Sequence, residues 1–174
     1  MPTLAQTLGT TTPVSPLLRK ARRLGIGNVP DMIALAASRG CHHYASRDST
    51  TAPQIQPTAL GNDELTILLL IGENPYEPSA IRCAAQLARS PDVDLNKLAK
   101  LAVMEKCERV LAHITRAGLQ HDPEGRQFWE QLLALLSPPP PRPEPHLPHW
   151  SRFVSMPGIQ RSGPAPTRWL TPSP

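Results

Sequence analysis

The stretch VDLNKLAKLAVMEKCERVLAHITRAG, residues 93–118, decides the fold. Up to its final residue it is the longest run in the chain without glycine or proline. At about 100° per residue, Leu95, Leu98, Ala99 and Ala102 gather on one helical face, with Lys97 and Lys100 pointing roughly the opposite way. Further on, Cys107, Val110, Leu111 and Ile114 form a second stripe, with Glu108, Arg109 and Thr115 off it. The second stripe is rotated from the first by about 100°, one residue's worth of turn. A heptad pattern drifts by only ~20° per repeat on a straight helix, so drift does not account for the rotation. The spacing therefore predicts two helices, 94–102 and 106–117, joined by a tight turn near Val103 to Glu105. The competing reading is one continuous helix of about 36 Å. Gly118 suits a left-handed residue just past a helix end, with Leu119 folding back on Ile114. Ser90-Pro91 suits a cap and first-turn proline at the other end, and Asp92 and Asp94 suit the helix N-terminus.

Outward from this centre the chain reads as all-α. Asn62 can cap a short helix in which Asp63 and Glu64 favour the dipole and LTILLLI, residues 65–71, is apolar on nearly every side, as in a bundle centre. Glu73 to Pro78 reads as a turn, and a helix is expected from Ser79 to Arg89 with Ile81, Ala84, Ala85 and Ala88 inward and Arg82 and Arg89 outward. Asp122-Pro123 opens the last helix, whose apolar face is Phe128, Trp129, Leu132, Leu133 and Leu136. The expected architecture is a small helical bundle of about five short helices over residues 62–136, with short connections favouring antiparallel neighbours.

Towards the N-terminus, residues 1–14 are Thr-rich and read as disordered. Residues 15–40 read as a basic helical hairpin, either an amphipathic piece that docks on the core or an arm that contacts phosphate or acidic groups. Leu17, Leu18, Ala21 and Leu24 make one face of its first helix, and Arg19, Lys20, Arg22 and Arg23 make the other. Gly25 and Gly27 end that helix, and a second from Pro30 to Arg39 stops at Gly40. Residues 41–61 read as a linker. From Ser137 the composition changes abruptly: twelve of the last 38 residues are proline, so 137–174 reads as a long disordered proline-rich tail. Within it Trp150, Arg152, Phe153, Arg168 and Trp169 interleave aromatic and basic side chains. Such a pattern can stack on bases or fold onto a protein surface, the chain's own core included.

The charge is unevenly placed. The chain has 18 Lys and Arg against 14 Asp and Glu, net +4. Residues 1–61 carry six basic against two acidic side chains, residues 62–136 eight against eleven, and residues 137–174 four against one. Basic character thus belongs to the two ends, and the helical middle is mildly acidic.

Chemistry is sparse. Three cysteines at 41, 83 and 107 form no spaced framework and read as reduced, buried thiols. Cys41-His42-His43 places ligand types side by side, but adjacent side chains seldom converge on one ion and no second pair has usable spacing, so no metal is expected. No phosphate loop or nucleophile elbow is visible, and neither an enzyme nor a cofactor is expected. The longest apolar run is too short to cross a bilayer, so no membrane is expected either. A cytoplasmic location fits, although an N-terminus free of acids until Asp31 leaves organelle targeting open.

Two function classes follow. The first is a non-catalytic protein-interaction or regulatory module with flexible basic ends and a protein partner. Weak, non-specific nucleic-acid contact through residues 19–23 is compatible with it; the oligomeric state is not read. The second is a helix-turn-helix DNA-binding regulator using 94–102 and 106–117. Against the second, Glu105 and Glu108 stand where phosphate would lie nearby.

Overall fold

In the computed structural model the described residues are 15–42, 54–71, 77–136 and 169–173. Among them there are seven α-helices, one short 3-10 turn and no strand: α1 Pro16–Arg23, α2 Val29–Ser38, α3 Asn62–Leu70, α4 Pro78–Leu87, α5 Leu95–Met104, α6 Glu108–His121, the 3-10 turn Pro123–Gly125, and α7 Arg126–Leu135. Residues 1–14, most of the predicted linker and residues 137–168 lie outside the described part. The same holds for Trp150, Arg152, Phe153 and Arg168.

The helix starts follow from short polar caps. Ser15 Oγ accepts from the Leu18 amide at 3.0 Å, Asn28 Oδ1 from Asp31 at 2.9 Å and Asp94 Oδ1 from Lys97 at 3.0 Å. Asp94 thereby takes the capping role that Ser90-Pro91 suggested. Three helix ends share one device. Ile26, Cys41 and Cys107 each donate a backbone bond to the carbonyl five residues back, at Ala21, Ala36 and Ala102, and each is buried. The residue before each is left-handed, which is the Schellman arrangement. Gly25 and Gly40 adopt φ of 87° and 107° there without a β-carbon penalty. At the third end that place is held by Lys106, at φ 58°.

The break between α5 and α6 is therefore real, two residues later than the periodicity placed it. The predicted end at Gly118 is not found: α6 continues to His121, and Leu119 does not fold back on Ile114. Gly118 lies inside the helix because the indole of Trp129 packs against its α-carbon, where an added β-carbon would collide with the ring. Thr115, placed off the apolar stripe, is buried, its hydroxyl donating to the Leu111 carbonyl at 2.7 Å. Burial satisfied by that bond widens the covered face of α6.

α3 is the hub. Leu65 to Leu70 are all buried, and α3 packs against α1, α2, α4 and α5. On the far side α7 closes over α5 and α6. The hairpin is no separate unit: Leu17, Ala21, Ile26, Met32 and Leu35 belong to the same core cluster as the helices beyond residue 61. Residues 54–61 also differ from the expected linker, since Leu60 is fully buried and Ile55 packs on the core.

Candidate functional site

Burial of Leu17 and Ala21 fixes the rotation of α1 and turns Arg19, Arg22 and Arg23 to solvent. Lys20, the fourth residue of the predicted basic face, is half-exposed and engaged in an ion pair within the molecule: its Nζ lies 2.6 Å from Glu64 Oε1. The surface face is thus three arginines, with Arg22 and Arg23 in the last turn, where positive charge favours the helix dipole.

The acidic start of α3 gathers a polar clasp. Arg39 donates from Nη1 to Asn62 Oδ1 and from Nη2 to the Ile55 carbonyl, both at 3.0 Å. Asn62 Nδ2 donates to Ser90 Oγ and to Asp92 Oδ1, both at 2.9 Å. Lys97 Nζ reaches Asp63 Oδ1 at 2.9 Å. Burial pushes the Glu64 carboxyl up, but the Lys20 ammonium, the Gly61 amide and Lys97 outweigh it and hold it below the usual carboxylate range. Burial likewise raises Asp92, and Ser90, Asn62 and Arg39 bring it below its ordinary value. The clasp ties the hairpin, the α4–α5 connection and α5 to α3, which makes it a cohesive element.

A second polar centre forms where α6 gives way to α7. Asp122 is buried; its Oδ2 accepts from Arg89 Nε at 2.7 Å and from Trp129 Nε1 at 2.8 Å, and its Oδ1 accepts from the Gly125 amide at 3.0 Å. Arg89, expected to point outward, turns in to this carboxylate and lies 5.3 Å over the Phe128 ring. Beside it opens a cleft of about 590 Å³ between the end of α2, Gln86 on α4, the Asp122 corner and residues 169–173. That C-terminal segment is a strap without regular secondary structure. Ser173 N donates to the Gly40 carbonyl at 3.1 Å, and Gln86 Nε2 donates to the Thr171 carbonyl at 3.2 Å. Trp169, read from sequence as a contact to a partner or to the chain's own core, is 8% exposed and lies edge-on to Trp129 at 5.0 Å, packed on the core. Its apolar area is worth more inside the core than in water. Among the described residues neither Gln86 Oε1 nor Trp169 Nε1 has a hydrogen-bond partner. An unpaired buried group of this kind costs about 1–3 kcal/mol, so the pair calls for an explanation.

The cleft was not foreseen, because its parts come from residues 40, 86, 122 and 169. The tryptophan-bearing tail end was its one visible signal.

The thiols stand apart from any reactive arrangement. All three are free and buried; burial pushes Cys41 and Cys107 up to about 12 and raises Cys83 as well. Cys41 Sγ points to the Cys83 carbonyl at 4.0 Å, whereas His42 is exposed at the cleft, so those neighbours diverge. Among the described residues no three His, Cys, Asp or Glu side chains are grouped to hold a metal ion. No helix there is long and apolar enough to cross a membrane.

No protein family, curated protein or solved structure matches this chain.

Proposed function

We propose that the chain is a non-catalytic helical interaction module that binds an acidic protein partner through the arginine face of α1. One observation carries this reading: Arg19, Arg22 and Arg23 are exposed on a helix whose other side is locked into the core. The anchored helix sets the three side chains on one face, and their planar guanidinium forks can engage carboxylates through paired hydrogen bonds. Leu17 and Ala21 are occupied in the core, so α1 has no free apolar face to sink into a membrane surface. A recognition helix for DNA would need a free flank, yet on α6 the exposed positions are Arg116 and Gln120.

Fluorescence anisotropy against poly-glutamate and against random-sequence duplex DNA tests the reading. Poly-glutamate is expected to bind and the Arg19→Ala, Arg22→Ala, Arg23→Ala triple variant to lose it. Any duplex binding should be weak and sequence-blind, with a log–log salt slope of no more than about 3, one contact per arginine. Sequence-selective duplex binding lost on changing Arg109 or Arg116 would reverse the ranking in favour of helix-turn-helix recognition.

A further inference from the structure

We infer that the surface beneath the C-terminal strap is a docking groove for a tryptophan-anchored segment of a partner protein, with residues 169–173 as its resident occupant. Burial along the strap follows a pattern. Trp169 is buried, Leu170 and Pro172 are half-buried, and Thr171 and Ser173 are exposed. The exposed residues supply main-chain bonds. The Thr171 carbonyl accepts from Gln86 Nε2 at 3.2 Å, and the Ser173 amide donates to the Gly40 carbonyl at 3.1 Å. Such bonds hold a segment without reading its side chains, and the covered positions do the reading. Gly40 permits the close approach, since a β-carbon there would collide with the Ser173 main chain and press on Pro172. The groove thus selects tryptophan and apolar residues one and three places after it. Four places after it any residue but proline fits, because an N–H is required there.

The occupant is exchangeable. None of residues 169–173 lies in a helix, so the strap leaves without unwinding one. The cleft of about 590 Å³ is walled by the strap together with residues 121–124, so the strap is not enclosed by protein on every side. Docking also carries a polar cost. Trp169 Nε1 is covered with no hydrogen-bond partner among the described residues, and holding Gln86 Nε2 on the strap leaves Oε1 in the same state. Undocking returns the Trp169 N–H to water. It also bares Trp129, which is fully buried while the Trp169 ring lies edge-on to it at 5.0 Å. An aromatic platform with the Gln86 amide as donor and the Gly40 carbonyl as acceptor complements a tryptophan-bearing segment. The strap of a second copy would make the same contacts, but the chain's own strap is tethered and wins at ordinary concentrations. Exchange between copies therefore gains nothing, and the fitting occupant is a different protein.

The probe is the acetylated synthetic peptide WLTPSP, the sequence of residues 169–174. The readout is the indole N–H spectrum of the full-length, nitrogen-15-labelled chain, whose three tryptophans are assigned with Trp150→Phe and Trp169→Phe. In the Trp169→Ala chain the anchor position is empty, and the peptide should move the Trp129 signal saturably. Wild type should need at least about tenfold more peptide, because its strap must leave first. Ser173→Pro, at an exposed position, removes only the amide donor. It should tighten peptide binding about twofold to tenfold over wild type, the Trp169 signal moving to its undocked position as the peptide enters. Within the peptide, Thr171→Gln should change little, Leu170→Gln should weaken binding at least about threefold, and Trp169→Ala should abolish it. No saturable shift in the Trp169→Ala chain, or equal affinity for wild type and Ser173→Pro, overturns the inference. So does loss of helix in the Trp169→Ala chain by circular dichroism, which would make the strap part of the core and not an occupant. A dimer that Trp169→Ala dissolves would overturn it too, by assigning the groove to a second copy's strap.

Discussion

Lys106 holds a left-handed backbone, φ 58°, that a side chain with a β-carbon adopts at a cost of roughly 1–3 kcal/mol. It is tolerated because the turn it makes lets Cys107 donate to the Ala102 carbonyl and bury its side chain. Lys106→Gly should therefore raise stability by about 0.5–1 kcal/mol, the relief being partly offset by the freer unfolded chain. A urea midpoint unchanged or lowered would contradict this. Gly118 teaches the opposite lesson. A glycine at the end of a periodic run reads as a terminator, yet this one is kept small by Trp129. Nothing local distinguishes the two uses, because the ring that needs the space arrives from the next helix. Gly118→Ala should cost about 1–3 kcal/mol in denaturation despite alanine's better helix propensity, since the ring must shift. A stabilised variant would mean that the indole does not press on α6.

At the scale of elements, the apolar stripes of α1, α4, α5 and α7 were legible because burial follows helical period. Leu17, Ala21, Ile81, Leu98, Ala102, Trp129 and Leu132 are buried as read, whereas Leu18, Leu24, Leu95, Phe128 and Leu133 at the margins of the stripes are half-buried. The polar partners were not legible, because they join residues far apart in the chain. Lys97 illustrates this. Its backbone position faces away from the stripe, but its long side chain reaches Asp63, which is buried at the start of α3. Lys100, one turn on, is exposed and has no ion pair among the described residues. Lys97→Ala should accordingly cost about 1–2 kcal/mol, less than a fully buried pair because the lysine end is half in water. Lys100→Ala should change stability by less than about 0.5 kcal/mol. Equal urea midpoints for the two variants would remove the clasp from the account of how α5 is held to α3.

At the scale of the molecule, the hairpin, the helices beyond residue 61 and the strap share one core. Composition sets 62–136 off as a domain and leaves the hairpin as a piece that docks on it or stands free as a basic arm. Composition shifts mark where a chain changes character, not which pieces pack together, and the amphipathic α1 and α2 had to bury their faces somewhere. The three thiols, contributed by the end of α2, by α4 and by the α5–α6 turn, report on that shared core. Burial pushes Cys41 and Cys107 up to about 12 and raises Cys83 in the same direction. In the unfolded chain a thiol ionises near pH ~8.5. The folded values lie above the unfolded one, so this contribution to stability is fully present below about pH 8.5 and is lost as pH rises towards the folded values. Each thiol then costs about 1.4 kcal/mol per pH unit, and three together up to roughly 4. Against a typical stability of about 5–15 kcal/mol, that slope should unfold a chain of about 5 kcal/mol near pH ~10 and one of about 10 kcal/mol near pH ~11. Far-ultraviolet circular dichroism should show one cooperative loss of helix there. A thiol reagent should be inert at neutral pH and label all three cysteines together with that loss. Cys41→Ala should move the midpoint to higher pH by removing one of the released protons. Labelling at neutral pH with the helical signal intact would mean that the core is open at the thiols, and the single-core description would fail with it.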